Sequence, residues 1–141
     1  MSSPIAHICN CFAARQAARF ITQLYDRHFS KAGITGSQYT ILAVIQSRPG
    51  ITMTELAKEL VMDRTSLVRA LKPLMRDGYV VSAASEKGSR KIALSLSLPG
   101  YEKFKEAEIR WQEAQQEWDA MVGQERASAL RAEMIAVTRS E

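Results

Sequence analysis

Between residues 53 and 96 the order of stops and starts leaves little freedom of fold. Two short amphipathic segments lie about three residues apart, a glycine ends the second, and two alternating stretches flank a basic tip. The first segment opens with Thr52-Met-Thr-Glu55, a reciprocal capping box, and runs to Leu60 with Leu56, Ala57 and Leu60 on its inner face. Asp63 is placed to cap the next, with Arg64 in its first turn. There Leu67, Leu71, Leu74 and Met75 recur at spacings of three and four and are expected to face inward. Thr65, Arg69, Lys72 and Arg76 fall on the opposite stripe. Pro73 forfeits the bond to the Arg69 carbonyl, which predicts a kink or a tightened last turn. Two such helices, the second ended by Gly78, carry the helix-turn-helix signature.

Ile92-Ala-Leu-Ser-Leu96 alternates large apolar with small residues, the pattern of a strand with one buried and one wet face. Tyr79-Val-Val-Ser-Ala83 is its expected partner, with the tip at residues 85–91 and Gly88 supplying turn freedom. Residues 63–91 hold 7 Lys/Arg against 3 Asp/Glu, the same +4 as the whole chain with 19 against 15. The net charge therefore resides on this one unit, a footprint suited to a polyanion.

On either side the periodicity is helical. Over residues 4–31 the apolar positions Ile5, Ile8, Phe12, Ile21, Leu24 and Phe29 enclose an alanine-rich middle, predicting one long helix ended by Gly33. Thr35-Gly-Ser-Gln38 is another capping box, and Tyr39, Ile41, Leu42, Val44 and Ile45 give the helix after it a wide buried face, stopped by Arg48-Pro-Gly50. Ser97-Leu-Pro-Gly100 opens the last long helix. Phe104, Trp111 and Trp118 recur every seven residues, as do Ala107, Ala114 and Met121, making a narrow seam that should meet another helix. Past Gly123, Ala127, Leu130, Met134 and Val137 mark a final helix. Unpartnered terminal seams imply a second copy of the chain.

At 141 residues, 46% hydrophobic and 24% charged, the chain reads as a single domain of ordinary globular composition. It has no apolar run of transmembrane length, and its start lacks the basic and apolar regions of a signal peptide, so a cytoplasmic location away from membranes is expected. Two histidines, no glycine-rich phosphate loop and no Ser-His-Asp order argue against catalysis. His7, Cys9 and Cys11 are spaced by two; on a helix they point to different sides, so no metal or other cofactor is expected.

The chain resembles the MarR (multiple antibiotic resistance regulator) family of winged helix-turn-helix transcription factors. The resemblance runs in order through Ile34-Thr-Gly-Ser-Gln38, Pro49-Gly-Ile-Thr52, Glu55-Leu-Ala-Lys-Glu-Leu60, Met62-Asp-Arg-Thr-Ser66 and Leu74-Met-Arg-Asp-Gly-Tyr79. It continues with Ser89-Arg-Lys91 and Leu96-Ser-Leu-Pro-Gly100. It implies a mainly α fold with a small β-hairpin wing: a head over residues 35–97 between dimerisation helices over 4–31 and 98–139. The helix-turn-helix would span about 53–76 and the wing about 79–97. A homodimer would grip a pseudo-palindromic duplex, as a repressor relieved by a small effector, with half-sites about one helical turn apart. Carried over by position, Arg64, Thr65, Ser66 and Arg69 would face base edges or phosphates, with Lys72, Arg76, Lys87 and Lys91 on phosphates. Arg90 takes the place of the wing arginine that enters the minor groove; the Asp that often precedes it in the family is absent, with Gly88-Ser89 in its stead.

Ile5, Ile8, Phe12, Trp111, Trp118, Leu130, Met134 and Val137 would form the dimer interface. Family members bind small, often aromatic or phenolic effectors between head and dimerisation helices, where Phe12, Arg15, Tyr39 and Trp111 are the candidate liners. Hydroperoxide sensors in the same family carry Cys-Phe early in the first helix and a tyrosine near its end, matched here by Cys11, Phe12 and Tyr25; Gly36 stands where those sensors have a second tyrosine. A peroxide-sensing repressor using Cys11 is therefore one alternative. A winged helix whose basic face meets an acidic protein is another.

Overall fold

The computed structural model describes residues 4–84 and 91–139. The order is α1 (Pro4–Ile8), α2 (Asn10–Phe29), a 3-10 turn (Ser30–Ala32), α3 (Gly36–Ser47), β1 (Ile51–Thr52), α4 (Met53–Leu60) and α5 (Arg64–Arg76). β2 (Val80–Ala84), β3 (Ile92–Leu96), α6 (Leu98–Val122) and α7 (Gln124–Thr138) complete it. The fold class read from sequence, mainly helical with a small antiparallel wing between flanking helices, is the one observed.

The expected helix starts are present. Thr35 Oγ1 accepts from the Gln38 N–H at 3.1 Å while Gln38 Oε1 accepts from the Thr35 N–H at 3.0 Å. Thr52 and Glu55 repeat the arrangement at α4. Asp63 caps α5 through Ser66 N–H at 2.7 Å, and Ser97 caps α6 through Gly100 N–H at 3.1 Å. Each satisfies a donor that the first helical turn would otherwise leave unpaired.

Four expectations are corrected. The first helix is broken at Cys9, whose extended backbone (φ −83°, ψ 116°) restarts α2 and whose Sγ accepts the Phe12 N–H at 3.3 Å. The sheet has a third strand: β1 pairs with β3, giving the antiparallel order β1-β3-β2, with Ile51 opposite Leu94 and Ser82 opposite Leu94 from the other side. Met75, expected inside, is 39% exposed, because Leu67, Leu71 and Leu74 already fill the space between α5 and the core. The heptad seam of α6 is met by α2 of the same chain: Ala107 and Ala114 are fully buried, Trp118 lies 6.4 Å from Phe20, and Trp111 and Met121 stay exposed at the edge. On α4 the inner face is led by Leu56 and Met53, with Ala57 and Leu60 half-buried.

α5 runs through Pro73 without interruption, and the tightening appears at its end. Gly78 (φ 78°) lets its own N–H reach the Met75 carbonyl at 3.1 Å and the Tyr79 N–H reach the Leu74 carbonyl at 2.9 Å, a Schellman closure. The same service is performed at the end of α4 by Val61, a β-branched residue in the left-handed region (φ 54°).

One apolar core joins the head to the long helices. Leu42, Ile45, Leu56, Leu67, Leu71, Leu74, Val80 and Leu94 are its centre. An aromatic column extends it: Phe29 stacks on Tyr39 at 4.8 Å, and Tyr39 on Phe104 at 5.5 Å with planes 11° apart. Polar clamps reinforce the same junction, with Lys103 Nζ donating to the Ala32 carbonyl at 2.9 Å and His28 set between Glu113 (3.2 Å) and Glu117 (3.3 Å). Among the described residues no helix is long and apolar enough to cross a membrane.

Candidate nucleic-acid interface and adjoining cleft

The outer face of α5 is built by the inner one. With Leu67, Leu71 and Leu74 pinned in the core, the 3.6-residue repeat turns Thr65, Arg69, Lys72 and Arg76 to solvent, and Arg64 is exposed because it opens the helix. Ser66 is different. Its N–H and hydroxyl both donate to Asp63, at 2.7 and 2.9 Å, so its hydroxyl proton is committed to the cap and only its lone pairs face outward. Those two hydrogen bonds hold the Asp63 carboxyl below its ordinary pKa. Arg76 pairs with Asp77 at 3.3 Å, an exposed contact of little energetic weight.

The strands that follow carry the wing stem away from α5, and Lys91 is exposed at its start. Lys87 and Arg90, the other wing cations singled out from sequence, lie outside the described residues. The exposed cations of α5 can neutralise phosphates, and its arginine forks can address base edges.

Between α2, α3 and α6 lies a cleft of about 540 Å³, within the range that takes a small organic ligand. Tyr39 and Trp111 line it as expected; Phe12 and Arg15 do not, since they lie about two and a half and more than one and a half turns upstream of Ile21, the first α2 residue to reach it. Tyr25, Phe29 and Val44 complete the apolar wall, and Asp26, Ser37 and Thr40 supply polar groups. Sequence reasoning missed Ile21 and Phe29 as liners, although their spacing of four and eight with Tyr25 between them announced a common face. Asp26 Oδ1 accepts the Gly36 N–H at 2.6 Å, and a side chain at Gly36 would crowd that oxygen at 3.0 Å. Burial pushes the Tyr39 phenol up to about 12, with the Glu108 charge adding to the effect. Tyr25 is also raised, first by burial and then by Asp119; its hydroxyl donates to Gln115 Oε1.

Cys11 is exposed in the first turn of α2 and Cys9 is half-buried at its cap. Tyr25 lies on the same helix roughly 21 Å further along the axis. Within one chain the two groups of the expected redox pair are therefore far apart.

The sequence profile of the MarR family matches residues 32–91. Among curated proteins, the chain is 33% identical over 88 residues to a putative transcriptional regulatory protein for the hcr operon of Thauera aromatica, covering 62% of this chain and 49% of that one. It is 27% identical over 90 residues to the organic hydroperoxide resistance transcriptional regulator of Bacillus subtilis (strain 168), covering 64% and 61%. The chain thus spans about half to three-fifths of these two curated relatives. Among solved structures, the M. tuberculosis transcriptional regulator MosR in complex with DNA superposes with a TM-score of 0.82 at 34% identity, over 93% of this chain and 94% of that one.

Proposed function

The chain belongs to the MarR family of winged helix-turn-helix transcriptional regulators, and from that premise we propose that it is a homodimeric, sequence-specific DNA-binding repressor released by a small aromatic effector. The observation that carries the reading is the face of α5. Thr65, Arg69, Lys72 and Arg76 are exposed opposite three buried leucines and Arg64 is exposed in the first turn, on a helix entered from a short turn and followed at once by the wing strands. Such a helix fits the major groove, with arginine reading bases and lysine holding phosphates.

Two copies are needed for a pseudo-palindromic site, and the terminal helices offer the surface. Ile5 (62%), Ile8 (78%), Met134 (50%) and Val137 (71%) present apolar side chains to water, with Phe12, Trp111 and Leu130 exposed to a lesser degree. Apolar exposure on this scale along both terminal segments favours an interface. The cleft supports the effector: an apolar wall ending in Tyr39 and Trp111 suits an aromatic ring. A ligand wedged there would bear on the Phe29–Tyr39–Phe104 column and so on the angle between head and stem.

Binding of fluorescent duplexes by the full chain tests this. A dimer that contacts many phosphates should lose orders of magnitude in affinity as salt is raised, and should prefer one duplex over random sequence. A monomer in sedimentation, or indifference among duplexes at low salt, would falsify the proposal. An acidic protein as the true partner would show as salt-dependent binding to that protein with none to DNA.

One observation favours a thiol-based variant of the same function. Cys11 is exposed in the first turn of α2, open to a hydroperoxide arriving from solvent. An organic hydroperoxide would oxidise it to the sulfenic acid and leave as the alcohol. Cys11→Ser should then bind DNA normally and ignore hydroperoxide; release of the variant by hydroperoxide excludes this route.

A further inference from the structure

Val68 stands on the outer side of α5, 48% exposed, among the cations. Arg64 precedes it by one turn, Lys72 follows by one turn, and Thr65 and Arg69 adjoin it. No acidic residue occurs between Asp63 and Asp77. Among the described residues neither Arg64 nor Lys72 enters an ion pair.

Local physics does not favour valine there. An exposed helical site prefers an unbranched or small side chain, because β-branching restricts χ1 against the preceding turn. The core gains little from it, since Leu67, Leu71 and Leu74 already occupy the inner face. The isopropyl group therefore sits in water, inside a polar and positively charged setting.

A duplex offers that group a specific complement. Every base-pair edge in the major groove presents hydrogen-bonding atoms, and one feature alone is apolar: the C5-methyl of thymine. The surrounding cations commit the occupant to a polyanion rather than to an apolar protein groove. Resting on the reading of α5 as the recognition helix, we propose that Val68 is a specificity-determining residue that packs against a thymine methyl in each half-site. Arg64 and Lys72, one turn to either side, anchor the flanking phosphates or bases and hold the isopropyl group against the methyl. The helix thereby selects thymine at a position where hydrogen bonding alone leaves the choice open.

Deoxyuridine lacks only that methyl, so the contact can be removed from either side. The full-length chain first selects duplexes from a random pool, and the enriched duplex is remade with deoxyuridine at each thymine in turn. At one thymine per half-site the wild-type chain should lose about fourfold in affinity, the worth of one buried methyl. Val68→Ala, which removes the contact in both half-sites of the dimer, should lose about sixteenfold on the thymine duplex, the product of two such factors, and be blind to deoxyuridine at that position. Alanine on an exposed helix preserves folding, which circular dichroism verifies, and Val68→Thr, keeping one methyl, should fall between. Equal deoxyuridine sensitivity of wild type and Val68→Ala at every position, or none in the wild type, overturns the role of Val68 and leaves the recognition helix standing. Enrichment of no sequence at all overturns both.

Discussion

Gly100 backs onto the Tyr79 carbonyl oxygen so closely that a Cβ built on it would overlap that atom. The same carbonyl accepts the Ser97 N–H at 3.1 Å, and the Ser97 hydroxyl donates to the Gly78 carbonyl. The first turn of α6 is thus seated on the end of the Schellman closure of α5.

Two effects oppose each other in Gly100→Ala. Alanine favours a helix by about 1 kcal/mol over glycine. Overpacking against backbone that cannot move aside costs about 1–3 kcal/mol, and here the obstacle is the Tyr79 carbonyl rather than a flexible side chain. The net outcome should be destabilisation in urea unfolding. A variant as stable as the parent would mean that α6 can lift off the head freely.

Val61 invites the reverse change. It is 71% exposed, so little burial is at stake, and its left-handed backbone costs an L-residue roughly 1–2 kcal/mol. Glycine relieves that and forfeits about 0.5–1 kcal/mol in backbone entropy. Val61→Gly should therefore raise stability by up to about 1 kcal/mol. A clear loss in thermal unfolding would show that the Val61 side chain holds the turn in some other way.

Tyr39 sets an alkaline limit. Burial lifts its folded pKa to about 12, above the unfolded value near 10. The sign follows: the contribution to stability is complete below pH 10 and is lost as the pH rises through 12. Tyr39→Phe keeps the ring in its stack and removes the ionising group, so its unfolding at high pH should be shifted upward. An unchanged alkaline profile would assign that limit to another group.

Asp63 sets an acid limit for α5. Its folded pKa is depressed by the Ser66 N–H and hydroxyl, so its capping stabilises fully above the unfolded pKa and fades as the pH falls through the lower folded value. Amide exchange in the first turn of α5 should accelerate in that acid range. Asp63→Asn, which keeps an accepting oxygen without a titrating group, should abolish the acceleration; persistence in the variant would sink the assignment.

Much of the head was legible because its signals are local. The boxes at Thr35 and Thr52 and the caps at Asp63 and Ser97 each need only four residues, and the alternation of residues 92–96 needs five. What escaped depends on distant or unusual partners. β1 is two residues long, too short to alternate, and exists because β3 passes beside it. A cysteine thiol is not among the usual caps, so the break at Cys9 had no sign in the periodicity. The heptads of α6 announced a helix neighbour without saying that α2 of the same chain supplies it. The cleft draws on α2, α3 and Trp111 together; Tyr39 and Trp111 were in the expected set, whereas Tyr25 had been given a redox role and Phe12 and Arg15 sit too far upstream.

β3 is fastened along both edges, to β1 just ahead of the α4 cap and to β2 just behind α5. A slip of one residue would roll Leu94 out of the core, so the sheet cannot creep. α5 and the wing stem are consequently tied to one sheet whose register the buried Leu94 locks, so neither can shift along the other without opening the core they share.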